Sequence, residues 1–121
     1  MNKKILVVED NPANMRLVSD LLKINNYTVI KAYDGETAVN IIKNVKPDLI
    51  ILDIILPGID GFEVFKKIRE DKNLDNVKVI AFTASAMEVD EKKIIAAGFD
   101  GYIKKPIDTK IFIKAIGKYL G

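Results

Sequence analysis

Residues Leu49 to Leu56 read LIILDIIL, in which one acidic side chain stands among seven aliphatic ones. A carboxylate moved into an apolar interior without partners costs several kcal/mol and takes up a proton rather than keep its charge. Asp53 therefore requires an exit to solvent, a partner or a function. The apolar residues Leu49–Leu52 predict a buried strand, which leaves Asp53 at or just beyond its carboxyl end.

The rest of the chain alternates short strands rich in Ile and Val with segments of helical period. Such alternation indicates successive βαβ units and a parallel sheet. Because the strands are near-continuous apolar runs, helices are expected on both faces, which gives a doubly wound, three-layer α/β domain. The five predicted strands are Ile5–Val8, Thr28–Ala32, Leu49–Leu52, Val77–Phe82 and Tyr102–Ile103.

Polar caps and apolar spacing indicate the helices between these strands. Asn11 and Asp60 are predicted to cap the first and third helices, and Pro12 stands at the first position of the first helix. Apolar residues recur at helical spacing in the other segments. The predictions include a second helix that extends to Val45, a weakly apolar fourth helix over about Met87 to Ala97, and a fifth helix that buries Ile111.

Composition excludes several kinds of chemistry. The 121 residues include no cysteine and no histidine, so disulfides, thiolates and imidazole ligands are excluded and any metal must be bound by oxygen atoms. The net charge of +2 is too small to indicate a nucleic-acid surface. No apolar run approaches the roughly 18 residues of a membrane span. A cytoplasmic protein without direct nucleic-acid or membrane binding is expected.

Polar side chains follow four of the five predicted strands. Right-handed crossovers bring the carboxyl ends of parallel strands to one edge of the sheet, so these side chains are expected to meet. They are Glu9 and Asp10 after the first strand, Asp53 after the third, Thr83 after the fourth and Lys105 after the fifth.

This combination predicts a site for a cation and a phosphoryl group. Two carboxylates about 4 Å apart repel each other by roughly 4 kcal/mol near a protein surface, so three together require a cation. Mg²⁺ fits, because it prefers oxygen ligands and commonly binds one or two carboxylates together with a phosphate. A hydroxyl at Thr83 and an ammonium at Lys105 would complete the contacts to phosphoryl oxygens. Taken singly, each residue is also explained as a helix cap, a turn residue or a solvated side chain.

Four motifs carry a resemblance to a known family. They are VVEDN, ILDIILPGIDG, FTAS and YIKKP. Together they resemble the response-regulator receiver domain of two-component signalling, the flavodoxin-like fold typified by CheY, with strand order 2-1-3-4-5. The resemblance covers residues 1–121 as one receiver domain. The segment EDNPANMRLVSDLL is also similar to the stand-alone DivK type and to receivers attached to hybrid kinases.

The resemblance implies a phosphoacceptor and a metal site. Asp53 would accept a phosphoryl group from a histidine kinase or a histidine phosphotransfer protein. Asp10, Asp53 and the backbone carbonyl of Ile55 would ligate Mg²⁺, with Glu9 acting through a bound water and Mn²⁺ as a possible substitute. Ile55 and Ser85 occupy the two positions that tune the lifetime of the phosphoryl group in this family.

The resemblance also implies a switch. Thr83 and Lys105 would contact the phosphoryl group, and the Lys105-Pro106 bond is cis in many relatives. Movement of Thr83 would let Tyr102 turn inward and alter the surface formed by the fourth helix, fifth strand and fifth helix. That surface would bind a downstream protein target, so the chain is expected to be a signalling switch that catalyses only its own phosphorylation and dephosphorylation.

Two alternative functions disagree with the residues present, and a third remains. A dehalogenase-type phosphatase would carry a second aspartate where Ile55 stands, and a flavin-binding domain would carry a hydroxyl- and glycine-rich cradle where Glu9 and Asp10 stand. A receiver that never turns over phosphate and binds a partner constitutively is the third. The chain ends at Gly121 without an output domain, so we expect a stand-alone regulator or a part of a larger one.

Overall fold

The computed structural model describes residues 2–83 and 88–120, with the backbone alone for residues 88–90. No helix in these ranges combines the length and apolar character that crossing a membrane needs. A 3-10 turn, Lys72–Leu74, precedes the fourth strand. The other elements are β1 (Lys4–Val8), α1 (Pro12–Ile24), β2 (Thr28–Ala32), α2 (Gly35–Ile42), β3 (Leu49–Asp53), α3 (Gly61–Glu70), β4 (Lys78–Thr83), α4 (Glu88–Ala97), β5 (Gly101–Lys104) and α5 (Thr109–Leu120).

The strands form one parallel sheet in the order β2-β1-β3-β4-β5. This confirms the predicted fold class and strand order. Helices α1 and α5 pack on one face, and α2, α3 and α4 pack on the other. All five residues of β3 are buried, because this central strand has neighbours on both edges and helices on both faces. The buried strand LIILD therefore holds its last residue, Asp53, in a fixed position.

Side-chain caps begin two of the helices, as predicted. Asn11 Oδ1 accepts the backbone N–H groups of Ala13 and Asn14 at 2.9 and 3.1 Å. Asp60 Oδ1 accepts the N–H of Glu63 at 2.9 Å. Each cap satisfies donors that have no partner within the first helical turn. Both capped helices start at the edge of the sheet where Asp53 lies, so the caps also fix the loops around that residue.

One predicted helix boundary and one predicted buried residue are wrong. Helix α2 ends at Ile42 rather than near Val45, because the N–H groups of Asn44 and Val45 both donate to the carbonyl oxygen of Ile41, which ends the regular helical ladder in a turn. Ile111 is 67% exposed rather than buried, and α5 packs through Phe112 and Ile116. The predicted start of the fourth helix at Met87 lies outside the described residues.

Candidate functional site

The sheet register brings the ends of three strands together. Val8 pairs with Leu52, so the next residues along the two strands, Glu9 and Asp53, follow side by side. Thr83 ends β4, which lies on the other side of β3. The sheet edge therefore gathers side chains that are far apart in the sequence.

Three carboxylates form a cluster at this edge. Glu9, Asp10 and Asp53 each place an oxygen within 4.8 Å of the others. Glu9 is fully buried and Asp53 is 4% exposed, whereas Asp10 is exposed. The cluster offers only oxygen donors and opens to solvent on one side. This donor set fits a hard divalent cation such as Mg²⁺, which binds carboxylates and retains several waters.

Lys105 extends into the carboxylate cluster. Its Nζ lies 2.6 Å from Glu9 Oε1 and 2.9 Å from Asp53 Oδ2. The same ammonium lies 4.7 Å from the centroid of the Phe82 ring, a distance at which the ring face attracts a cation. The Lys105 ammonium is therefore shared between two buried carboxylates and also lies over the Phe82 ring.

The pKa values of two residues reflect this sharing. Burial raises the pKa of Glu9 above its ordinary value and contact with Asp53 raises it further, while Lys105 acts in the opposite direction. Burial alone would lower the pKa of Lys105, but its contacts with Glu9 and Asp53 outweigh burial and raise it. Lys105 therefore stays protonated at neutral pH and supplies a fixed positive charge to the site.

The backbone connects Lys105 to the end of β4. Its N–H donates to the carbonyl oxygen of Thr83 at 2.8 Å, and the Lys105–Pro106 peptide bond is cis. Thr83 itself is 4% exposed. These contacts place the hydroxyl-bearing residue and the lysine on the same side of Asp53.

The segment 54–60, here called the β3–α3 loop, is folded back against Asp53. The N–H of Ile55 donates to Asp53 Oδ1 at 3.1 Å, and the N–H of Gly61 donates to the carbonyl oxygen of Ile54 at 2.9 Å. A Cβ atom at Gly61 would overlap the Asp53 carbonyl oxygen. The side chain of Ile55 is 70% exposed beside the site. The loop thus brings a backbone donor and an apolar side chain next to the acidic cluster.

Tyr102 lies on β5 and is partly buried. Its hydroxyl contacts the carboxylate of Glu91 on α4, and Lys104 Nζ lies 2.7 Å from Glu91 Oε1. The contact with Lys104 and the smaller one with Tyr102 lower the pKa of Glu91. Ser85, the second predicted lifetime residue, lies outside the described residues.

The contact of Glu91 with Lys104 and Tyr102 was not predicted from the sequence. Lys104 stands beside Lys105 in a basic pair, which is typical of a solvated surface, and Glu91 lies in a helix with a weak apolar stripe. Side chains that meet across two elements leave no periodic signal in the chain. One signal in the sequence points to it: β5 ends at Lys104, and alternation carried one residue further sends Lys104 and Lys105 to opposite faces.

Comparisons with known proteins agree with this geometry. The family model described as response regulator receiver domain matches residues 5–117. The polar-differentiation response regulators DivK of Brucella ovis and Brucella melitensis are each 42% identical over 121 residues, which is 100% of this chain and 98% of theirs.

Solved structures give the same result. The receiver domain of a sensor histidine kinase from Pseudomonas aeruginosa, crystallised with a magnesium ion coordinated in its active-site cleft, is 31% identical, with a TM-score of 0.92 over 100% of this chain and 99% of that one. The chemotaxis response regulator CheY4 of Vibrio cholerae is 26% identical, with a TM-score of 0.93 over 99% of this chain and 100% of that one. From the family match and these full-length alignments, the chain belongs to the response regulator receiver domains of two-component signalling.

Proposed function

We propose that this receiver domain is a phosphorylation-controlled switch whose phosphoacceptor is Asp53. The position of the Asp53 carboxylate supports this most directly. It is 4% exposed at the end of β3, with Lys105 Nζ 2.9 Å away and the Glu9 and Asp10 carboxylates within 4.8 Å. A carboxylate held rigidly beside a fixed ammonium is placed to accept a group whose negative charge that ammonium then stabilises.

The phosphodonor is proposed to be a histidine kinase or a histidine phosphotransfer protein. One carboxylate oxygen of Asp53 attacks the phosphorus atom in line, and a P–O bond forms as the P–N bond to the donor's imidazole breaks. The imidazole leaves with the bonding electron pair. Lys105 neutralises charge on the phosphoryl oxygens, and the hydroxyl of Thr83 holds one equatorial oxygen.

Mg²⁺ is the proposed cofactor, with Mn²⁺ as a substitute. Asp10, Asp53 and the backbone carbonyl of Ile55 would hold the ion, which supplies neutralisation of charge on the carboxylates and phosphoryl oxygens. Glu9 would act through a water, because Lys105 lies 2.6 Å from its Oε1 and its Oε2 accepts the N–H of Asn11 at 3.3 Å. The magnesium ion in the related kinase receiver supports the same assignment.

The output is proposed to be a protein contact on the surface formed by α4, β5 and α5. Movement of Thr83 toward the phosphoryl group would let Tyr102 turn inward, and the Tyr102 hydroxyl would then move away from Glu91. Ile95 on α4 and Ile111 on α5 are 64% and 67% exposed. Exposed aliphatic side chains on both helices suit an apolar contact with a downstream protein.

The lifetime of the phosphoryl group is proposed to depend on Ile55. Its side chain is 70% exposed beside Asp53, so it is placed to hinder an attacking water. An apolar side chain in this position slows hydrolysis, because it keeps water out of the line of attack on the phosphoryl group and offers that water no hydrogen bond. Replacement of Ile55 by a polar residue is expected to shorten the lifetime.

Nuclear magnetic resonance with a phosphoryl mimic tests the switch. Beryllofluoride and Mg²⁺ are added to the ¹⁵N-labelled protein, and amide shifts are expected near Asp53 and through β5, α4 and α5. Asp53→Asn is the matched control and should show none of them. Shifts confined to the loops around Asp53 would contradict the output surface, and the absence of any shift would contradict phosphoryl binding.

A further inference from the structure

A carboxylate outside the acidic cluster contacts the β3–α3 loop. Glu36 lies in the first turn of α2, and its Oε1 accepts the N–H of Ile59 at 3.3 Å across 23 residues of sequence. Ile59 is in the second half of the loop, away from the bonds that fix its first residues to β3. Glu36 therefore connects a separate helix to the part of the loop that β3 does not hold.

The contact between Glu36 and the loop depends on a glycine. Gly58 has φ of +74°, and a Cβ atom there would lie 2.7 Å from Glu36 Oε1 and 3.2 Å from Oε2. The carboxylate thus occupies space that any other residue at position 58 would fill. The positive φ also favours glycine at this turn. The Glu36 carboxylate therefore lies against the Gly58 backbone as well as against the Ile59 N–H.

A second glycine brings α2 close to the same loop. A Cβ atom at Gly35 would lie 2.6 Å from Ile59 Cγ1 and 2.7 Å from Val64 Cγ2. The first turn of α2 therefore packs directly on Ile59 and on α3. Two close approaches and one hydrogen bond therefore join the second half of the loop to α2.

The same loop carries Ile55, whose N–H donates to Asp53 Oδ1 and whose carbonyl is the proposed metal ligand. We propose that Glu36 is a positioning residue for the Asp53 site: by holding Ile59, it fixes the loop so that the Ile55 carbonyl faces the acidic cluster. This inference rests on the proposed function, because it assigns to Glu36 a part in binding the divalent cation. A group of this kind does not touch the metal ion. It affects metal binding by orienting the atom that does.

The test compares Glu36→Ala with Glu36→Gln, which keeps an acceptor oxygen. Glu63→Ala is the matched control, since Glu63 is also an exposed acid in the first turn of its helix, α3. Like Glu36→Ala, Glu63→Ala removes one negative charge from the first turn of a helix. The affinity for Mg²⁺ alone is measured by titration followed through amide shifts, and amide hydrogen exchange of Ile59 and Gly61 is measured without metal.

Glu36→Ala is expected to weaken Mg²⁺ binding by about three- to tenfold, the size of one lost hydrogen bond at a partly exposed site. The Ile59 amide should exchange faster, while the Gly61 amide, which is bonded to Ile54, stays unchanged. Glu36→Gln and Glu63→Ala should both resemble the wild type. The inference is overturned if Glu36→Ala binds Mg²⁺ as tightly as the wild type, or if Glu63→Ala weakens binding equally.

The same experiment separates this inference from the proposed function. A wild-type protein that binds no Mg²⁺ would contradict the proposed metal site itself, and with it the assigned role of Glu36. Normal Mg²⁺ binding by the wild type with unchanged binding in Glu36→Ala would contradict the role of Glu36 alone.

Discussion

The ammonium of Lys105 and the carboxylate of Asp53 lie 2.9 Å apart, although 52 residues separate them in the sequence. The same ammonium contacts Glu9 at 2.6 Å. A single lysine therefore offsets repulsion between the two buried carboxylates, Glu9 and Asp53. It also stands where charge would appear on a phosphoryl group bound to Asp53.

Removal of Lys105 tests its part in phosphoryl transfer. Lys105→Ala is expected to slow uptake of a phosphoryl group from a small phosphodonor by about a hundredfold, the usual cost of losing one preorganised charge-stabilising group. The rate is measured by intact-protein mass spectrometry over time. Lys104→Ala is the matched control, because Lys104 is the adjacent lysine and contacts Glu91 instead. Equal rates for Lys105→Ala and the wild type would remove Lys105 from the mechanism.

Stability without metal is expected to depend on pH through Glu9. Burial and contact with Asp53 raise the pKa of Glu9 above its ordinary 4.5, so the folded state holds this proton more tightly than the unfolded state. That contribution to stability is complete below about pH 4.5 and is lost as the pH rises through the raised pKa. The positive charge of Lys105 does not change in this range.

Glu9→Gln mimics the protonated side chain and tests this dependence. The variant is expected to be more stable than the wild type at pH 7, with a difference that shrinks toward pH 4. Urea unfolding in a chelating buffer at several pH values measures it, and Glu63→Gln, at an exposed site, should show no such trend. A variant less stable than the wild type at pH 7 would mean that the pair with Lys105 outweighs the cost of burying Glu9.

Two glycines should respond in opposite ways to replacement by alanine. Gly61→Ala is expected to cost about 1–3 kcal/mol, because the added Cβ overlaps the Asp53 carbonyl oxygen and the backbone must move. Gly117 lies in α5, where the nearest atom to an added Cβ is the Tyr27 hydroxyl at 4.0 Å. Gly117→Ala is therefore expected to stabilise the protein by about 0.5–1 kcal/mol through helix propensity. Thermal unfolding of both variants measures the two changes in stability. Unchanged stability in Gly61→Ala would contradict the close approach of Gly61 to the Asp53 carbonyl oxygen.

The sheet could be predicted because its strands are short, continuous apolar runs, and the cluster could be predicted because parallel strands end at one edge. Glu9, Asp10, Asp53, Thr83 and Lys105 each follow or end a strand that the sequence marks clearly. The prediction required only chain order and strand direction. It did not require knowing where any side chain points.

Contacts between separate elements could not be predicted in this way. The hydrogen bond from Ile59 to Glu36 joins a loop to a helix, and the pair of Lys104 with Glu91 joins a strand to a helix. Neither has a periodic signal, and both depend on the distances between packed elements. The end of α2 at Ile42 likewise leaves no mark in the sequence, because the apolar spacing continues to Val45. Sequence patterns report local conformation, whereas these features arise from packing.

The most direct test of the central claim is whether Asp53 takes up a phosphoryl group. The protein is incubated with a small phosphodonor and Mg²⁺, and its intact mass is measured. One added phosphoryl group is expected in the wild type, with none in Asp53→Asn and strongly reduced uptake when Mg²⁺ is chelated. Persistence of the modification in Asp53→Asn, or its absence from the wild type in Mg²⁺, would contradict the account.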